Sequence, residues 1–339
     1  ITSSLLCFIK FSCRSESYLN RISLKLYNFQ KDGVLGAIDK LEKYHGCILA
    51  DSVGLGKTFE ALAVIKYYES RNSRVLVLCP KKLRENWLTY KGNRRDNILE
   101  RDRLNYDVLN HTDLSRYSGY SGEINLEKIY WENYDLIVID ESHNFRNNNN
   151  KRDDKETRYS RLLNQIIKKG VKTKVLMLSA TPVNNRMTDL KNQIAFATEG
   201  NEFALADYGI KSIDQTLRKA QLVFNKWNEL PEERKNLETL LEMLETDYFK
   251  LLDMLTIARS RKHIQKYYDT THIGKFPERL KPINIKNDID TQNDFIDLDE
   301  LNKLIRALNL AIYSPMKYIL PSKIAEYSKK YDTKTGKAV

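Results

Sequence analysis

The chain has 339 residues, 41% hydrophobic and 30% charged, a balance that excludes a disordered or fibrous polymer. Lys and Arg outnumber Asp and Glu by 56 to 45, and the resulting +11 is uneven: residues 1–200 carry +9 and residues 201–339 carry +2. A basic excess of this kind favours a polyanionic partner, nucleic acid first, and no apolar run approaches the ~20 residues of a membrane-spanning helix.

The first residues, Ile1 to Ile9, hold a short apolar stretch with no basic residue before it and no small-residue cleavage site after it. That pattern predicts no signal peptide, and a start without Met predicts a piece of a longer protein. Four scattered cysteines, Cys7, Cys13, Cys47 and Cys79, suit a reducing, cytoplasmic setting better than a disulfide framework or a zinc ribbon. Cys47 and Cys79 fall in apolar runs and read as small buried hydrophobes. Up to about residue 200, apolar β-rich runs alternate with helical patterns. The runs are 47–50, 75–79, 106–109, 136–139 and 175–178, and the helical patterns include 58–69 and 159–169. Runs apolar throughout are strands buried on both faces, so the expected fold is α/β with a parallel sheet. The polar stretch 144–154 reads as an exposed loop. Residues 211–256 show helical periodicity and no strand-like run (Leu237, Leu240, Leu241, Leu244, Tyr248), with Pro231 separating two helices. Residues 276–300 look like a connecting segment, and a last helical pattern covers 298–312.

Three strand ends carry chemistry. After the first run comes Asp51-Ser-Val-Gly54-Leu55-Gly56-Lys57-Thr58, opening a helix. A glycine-bearing strand–loop–helix turn is a phosphate loop: its backbone N–H groups and the helix N-terminus attract phosphate. Lys57 would reach the β- and γ-phosphates of a bound nucleotide, and the Thr58 hydroxyl would ligate Mg²⁺. Asp51 stands where the general pattern has Gly. The fourth run delivers Asp140 and Glu141 in Leu136-Ile-Val-Ile-Asp140-Glu141-Ser142-His143. Asp140 would hold the metal and Glu141 would polarise the attacking water. The fifth run ends in Ser179-Ala-Thr181-Pro182, hydroxyls that by themselves could simply cap the next helix. Eight Lys and Arg lie in 71–95 against one acid, and nine in 151–174 against three. A charge run is usually only a solvated face, but the first cluster surrounds the Pro80 strand end, where contact with a phosphate backbone is expected. The five His do not form a metal cluster.

Together these segments resemble the superfamily-two helicases, most closely their SWI/SNF-type branch of DNA-translocating ATPases. The resemblance runs from about residue 24 over nearly the whole chain. Leu26-Tyr-Asn-Phe-Gln30 looks like the adenine-recognising glutamine motif, which would make Gln30 the adenine contact. Asp51–Thr58 resembles the branch's Asp-Glu-Met-Gly-Leu-Gly-Lys-Thr loop, so Asp51 fits the branch although Ser52 and Val53 depart from it. Val75-Leu-Val-Leu-Cys-Pro80, followed by Trp87, resembles the motif that touches the nucleic-acid backbone, and it points to Lys81, Lys82 and Arg84 as contacts. Asp140-Glu-Ser-His143 is similar to the Asp-Glu-Ala-His box, with His143 relaying between nucleotide and motif residues. Ser179-Ala-Thr181 looks like the motif that couples ATP state to lobe motion. Arg259-Ser-Arg261-Lys262 resembles a basic signature that follows the branch's helical protrusion.

The resemblance implies a flank over 1–18, a RecA-like P-loop NTPase lobe over 19–200, a helical protrusion over 201–275 and a connecting segment over 276–339. It implies an ATP hydrolase using Mg²⁺, with double-stranded DNA as partner, RNA remaining open, and no membrane. The second-lobe Gln-x-x-x-Arg-x-x-Arg motif is not found, so the expectation is a first lobe that binds ATP but hydrolyses it slowly alone. Two rival readings share the motifs: a strand-separating helicase or the motor subunit of a restriction or phage-defence system, and a non-catalytic ATP- or DNA-binding module.

Overall fold

A computed structural model describes residues 25–91, 96–146, 156–181, 186–231, 234–271, 273–274, 276–277, 280, 283, 298–307, 319–324 and 326–327. Cys7, Cys13, Arg94, Arg95, Pro182 and His272, with most of the polar stretch 144–154 and of the segment 276–300, lie outside them. The chain divides into two units, Ile1–Phe276 and Pro277–Val339. The second unit contains one described α-helix, Leu298–Ala307, shorter than the pattern 298–312, whose remainder is outside the described residues, and a 3₁₀ turn, Pro321–Lys323.

The first unit is built on six parallel strands: β1 (Gly46–Leu49), β2 (Val75–Cys79), β3 (Asp107–Asn110), β6 (Leu136–Ile139), β7 (Lys174–Leu178) and β8 (Thr256–Ile257), in the order β3-β2-β6-β7-β1-β8. A two-stranded ribbon, β4 (Tyr120–Ser121) with β5 (Ile124–Asn125), stands apart from this sheet. β1, β2 and β6 are buried at every position, as expected where helices cover both faces. Alternate residues supply two cores. Ile48, Leu76, Leu78, Ile137, Ile139, Val175 and Met177 face one, and Cys47, Leu49, Val75, Val77, Leu136, Val138, Leu176 and Leu178 face the other. The sheet with its flanking helices is an α/β lobe, a parallel sheet covered by helices on both faces. Cys47 and Cys79 are both fully buried, and burial pushes each thiol up to about 12, so neither presents a thiolate at neutral pH.

The helices are α1 (Asn28–Tyr44), α2 (Lys57–Glu69), α3 (Arg84–Lys91), α4 (Arg158–Arg161), α5 (Met187–Ala197), α6 (Ile213–Asn228), α7 (Leu237–Met243), α8 (Thr246–Leu255) and α9 (Arg261–Tyr267). Two differ from the sequence pattern. The run 159–169 begins as α4 but widens into a π-helical turn over Leu162–Ile167, which still buries Leu162, Leu163, Ile166 and Ile167. The periodicity from Leu237 to Tyr248 is broken at Leu244, whose extended backbone (φ −81°, ψ 136°) separates α7 from α8. Leu237 and Leu241 are exposed, whereas Tyr248, Leu251, Met254 and Leu255 of α8 enter the lobe's core. The chain then pairs Thr256 with Ile48 and Ile257 with Leu49, adding β8 to the sheet edge. Two residues are too short to read as a strand, and only the neighbour β1 makes them one.

His111, just after β3, is buried with Nε2 3.3 Å from the Leu78 carbonyl, and desolvation lowers its pKa to about 4. A folded pKa below the unfolded value near 6.5 means that the unfolded chain binds the extra proton. The stabilisation is therefore complete above about pH 6.5 and is lost as pH falls from there towards 4. Between pH 7 and pH 4.5 the wild-type protein is expected to lose more stability than His111→Phe, by about 2–3 kcal/mol. Paired denaturant titrations at the two pH values measure the difference, and equal losses in both proteins would remove the assignment.

Candidate nucleotide site

The strand–turn–helix at 46–69 sets the site's centre. Gly54 (φ 83°) and Gly56 (φ 85°) adopt left-handed backbone, which glycine takes without the Cβ penalty. A Cβ on Gly56 would stand 2.4 Å from Gln30 Nε2. Gly56 is the N-cap of α2 and supplies no side-chain cap hydrogen bond to it. Lys57, at its first position, donates from Nζ to the Asp51 carbonyl at 2.7 Å, and Thr58 follows half-buried. A polyphosphate with its divalent cation fits this donor set: a glycine turn whose curvature excludes Cβ atoms, an uncapped helix start, a lysine and a hydroxyl.

Gln30 is buried and fixed at both ends of its amide. Its Oε1 accepts from the Tyr27 backbone N–H at 3.0 Å and its Nε2 donates to the Leu55 carbonyl at 2.9 Å. The residue expected at the adenine is thus also a brace between the start of α1 and the loop. The Leu55 side chain packs with Phe29 and Ile264.

Neighbouring strand ends bring the other candidates together. Asp140, at the end of β6, accepts from Trp87 Nε1 at Oδ2 (2.9 Å) and from the Glu141 backbone N–H at Oδ1 (2.9 Å). Burial raises the Asp140 pKa, opposed by the Trp87 hydrogen bond. Glu141 has φ 50°, a left-handed conformation uncommon outside glycine, and its Oε2 lies 3.2 Å from His143 Nδ1. The same nitrogen is 3.5 Å from Ser179 Oγ, which also accepts the backbone N–H of Thr181 at 3.2 Å. The acid–acid–histidine segment after β6 therefore meets the hydroxyl segment after β7 through one imidazole. Ser142 is fully buried, and its hydroxyl donates to Gln193 Oε1 on α5 at 2.9 Å, tying the turn to the helix behind it.

The basic residues separate into two kinds. Lys81 and Lys82, in the 3₁₀ turn after β2, are exposed. Arg84 is engaged with the ribbon, donating to Ser121 Oγ (3.1 Å) and to the Ser121 carbonyl (3.2 Å). In the second basic cluster, whose residues 151–155 lie outside the described ones, Arg161 is buried and donates to the carbonyls of Leu114 (3.0 Å) and Arg116 (2.6 Å). Its guanidinium also lies over the ring of Tyr117. This cationic position holds the fold and is no free phosphate contact.

Two residues named in the sequence motifs, Trp87 and Arg259, turn out to brace the loop and the acid, and a third, Glu60, had no signal in the sequence. Trp87 braces Asp140, and only the aromatic following the Pro80 strand end hinted at it. Arg259 binds the Asp51 carboxylate through its backbone N–H (2.9 Å) and its guanidinium, and reaches Glu60 Oε1 at 2.7 Å. Glu60, in the first turn of α2, is buried; desolvation pushes its carboxyl up to about 8 against the pull of Arg259. Among the described residues no group of His, Cys, Asp and Glu is arranged as a pre-built metal cage, and no helix is long and apolar enough to cross a membrane.

Comparisons with known proteins place the chain among helicase-like sequences. Residues 23–184 match the family described as Type III restriction enzyme, res subunit. The DNA annealing helicase and endonuclease ZRANB3 of Mus musculus is 28% identical over 204 residues, covering 55% of this chain and 18% of that protein. The DNA repair and recombination protein RAD54-like of Drosophila persimilis is 23% identical over 286 residues, covering 76% of this chain and 34% of its own length. Among solved structures, the Sulfolobus solfataricus SWI2/SNF2 ATPase core in complex with dsDNA aligns with 70% of this chain and 45% of its own, at 18% identity and a TM-score of 0.41. The chain thus spans less than a fifth of the first of these relatives and about a third of the second.

Proposed function

We propose that this chain, a helicase-like lobe of superfamily two and of the SWI/SNF type, binds Mg·ATP between its 51–58 loop and the ends of β6 and β7. The reaction is in-line attack of water on the γ-phosphate, coupled to movement on double-stranded DNA. The observation that carries the reading is the placement of the 51–58 loop after β1, with Asp140, Glu141 and His143 after β6 and Ser179 after β7, strands that lie side by side in the sheet. In an open parallel sheet, ligands bind at the carboxyl ends of the strands.

Each residue has a task. The loop's N–H groups and Lys57 hold the β- and γ-phosphates, and Gln30 faces the adenine while keeping the loop in place. Thr58 and Asp140 hold the metal, which when bound would neutralise charge growing on the phosphate oxygens. Glu141 takes the proton of the attacking water, with His143 fixing its carboxylate and relaying its state to Ser179 and Thr181. Lys81 and Lys82 contact the phosphate backbone without reading sequence. Domain limits at 19–200, 201–275 and 276–339 belong to the same proposal.

A second RecA-like lobe completes the motor. Arginine fingers from such a lobe are worth about 10³–10⁵ in rate, so this chain alone turns over slowly. The experiment compares phosphate release by residues 1–339, with and without double-stranded DNA, against a two-lobe protein containing them. Slow, DNA-insensitive release by the chain and fast, DNA-stimulated release by the two-lobe protein are expected. A turnover near one per second by the chain alone would contradict the division of labour, and no ATP binding by either would leave the non-catalytic reading. The family description of the 23–184 match favours a second reading, a restriction-system motor subunit. Triplex displacement without strand separation favours the translocase; unwinding of a plain duplex favours a helicase.

A further inference from the structure

Asp51 breaks the general phosphate-loop pattern, and the structure gives it a partner 208 residues away. Its fully buried carboxylate accepts from the Arg259 backbone N–H at 2.9 Å, from Nε at 3.1 and 3.0 Å, and from Nη2. The same guanidinium reaches Glu60 on α2 at 2.7 Å and the Phe29 carbonyl on α1. Contacts continue along the main chain: Ala50 N–H donates to the Ile257 carbonyl at 2.6 Å, and Ser52 N–H to the Arg259 carbonyl at 3.0 Å. Arg261 Nη2 donates to the Val53 carbonyl at 3.2 Å. Gly33 leaves room for the fork, since a Cβ there would stand 2.4 Å from Arg259 Nη2.

We infer that Arg259 is a positioning residue for the nucleotide loop, holding the loop's first residue and the helix that follows it in the shape that receives phosphate. The inference rests on the nucleotide reading of residues 51–58 and adds to it the segment 257–261 as the loop's outer wall. One planar side chain fixes Asp51 before the turn and Glu60 after it. Moving the guanidinium therefore changes the distance between the two ends of the turn, and with it the aim of the N–H groups between them. A lysine offers a point charge without the fork and cannot serve Asp51, Glu60 and Phe29 together. No part of Arg259 needs to touch nucleotide for this role.

The test measures ATP affinity of the full chain by calorimetry, each variant well below its own melting midpoint. Arg259→Gln and Asp51→Asn are each expected to weaken ATP binding about tenfold or more, the order of loss that misplaced binding groups cause. The double variant is expected to be no worse than the poorer single, because each single substitution already breaks the Asp51–Arg259 pair. Arg259→Lys is expected to recover only part of the affinity. Leu251→Ala, which opens the core beneath α8, is expected to lower the melting midpoint and leave ATP affinity unchanged. If Arg259→Gln melts earlier but binds ATP as the wild type does, or if the two losses add, the inference is overturned. Should Arg259→Gln fail to fold, the isosteric Asp51→Asn decides alone by the same criterion. A wild-type chain that does not bind ATP, or a Lys57→Ala variant that binds it normally, would instead remove the nucleotide reading and the inference with it.

Discussion

Glu141→Gln is expected to leave Mg·ATP affinity within about threefold of wild type while lowering DNA-stimulated turnover of the two-lobe protein by about 10²–10⁴, the usual contribution of a positioned general base. The substitution keeps the shape of the side chain and its reach to His143 Nδ1, 3.2 Å away, and it removes only the ability to take a proton. The left-handed backbone at Glu141 (φ 50°) puts the carboxylate just beyond the strand end, while the preceding Asp140 stays tied to Trp87. Strain of this kind costs of order 1–3 kcal/mol and persists where the surroundings over-determine it. Buried Ser142 on one side and the Asp140 carboxylate on the other supply that determination. Phosphate release paired with nucleotide titration measures the effect. A loss below tenfold would transfer the base role elsewhere.

Lys57→Ala is the second large effect, and its signature is the opposite: binding itself weakens. Lys57 Nζ is held 2.7 Å from the Asp51 carbonyl, so the ammonium already lies along the loop and needs only to exchange a neutral acceptor for a phosphate. Hydrogen bonds to charged groups contribute about 1.5–3 kcal/mol, which corresponds to an ATP affinity about 10–100-fold lower in the variant. The melting midpoint is expected to stay close to wild type, because the lysine is half-buried and its one loop contact is to an exchangeable carbonyl. Unchanged affinity would mean that the glycine turn serves another ligand.

What was legible in the sequence was whatever a short window determines. Leu136–Ile139 and Val75–Cys79 are strands to the residue, since four or five consecutive apolar side chains leave no other burial pattern. The glycine turn before Lys57 was equally plain, because positive φ at Gly54 and Gly56 demands those residues. What stayed hidden depends on distant partners. Thr256–Ile257 becomes a strand only because β1 lies beside it. Arg161 and Arg84 look like free cations until their carbonyl and hydroxyl acceptors come into place. Leu237 to Tyr248 carries a continuous helical period, yet Leu244 turns extended and divides it, a tertiary outcome that periodicity does not encode. The brace from Gln30 to the Leu55 carbonyl, 25 residues away, is set by the folded loop and leaves no mark in the sequence around Gln30.

The bond between Asp51 and Arg259 also sets a timetable. On a ribosome the loop emerges long before its wall, and 208 residues separate the partners. At elongation rates of about 5–20 residues per second, the nascent chain carries an unfinished phosphate cradle for about 10–40 s. During that interval Asp51 has no guanidinium and the outer edge of β1 has no neighbouring strand. The 51–58 loop meets its wall only after the α6–α8 region between residues 213 and 255 has been made, so those helices set when the loop is completed as well as where its wall stands.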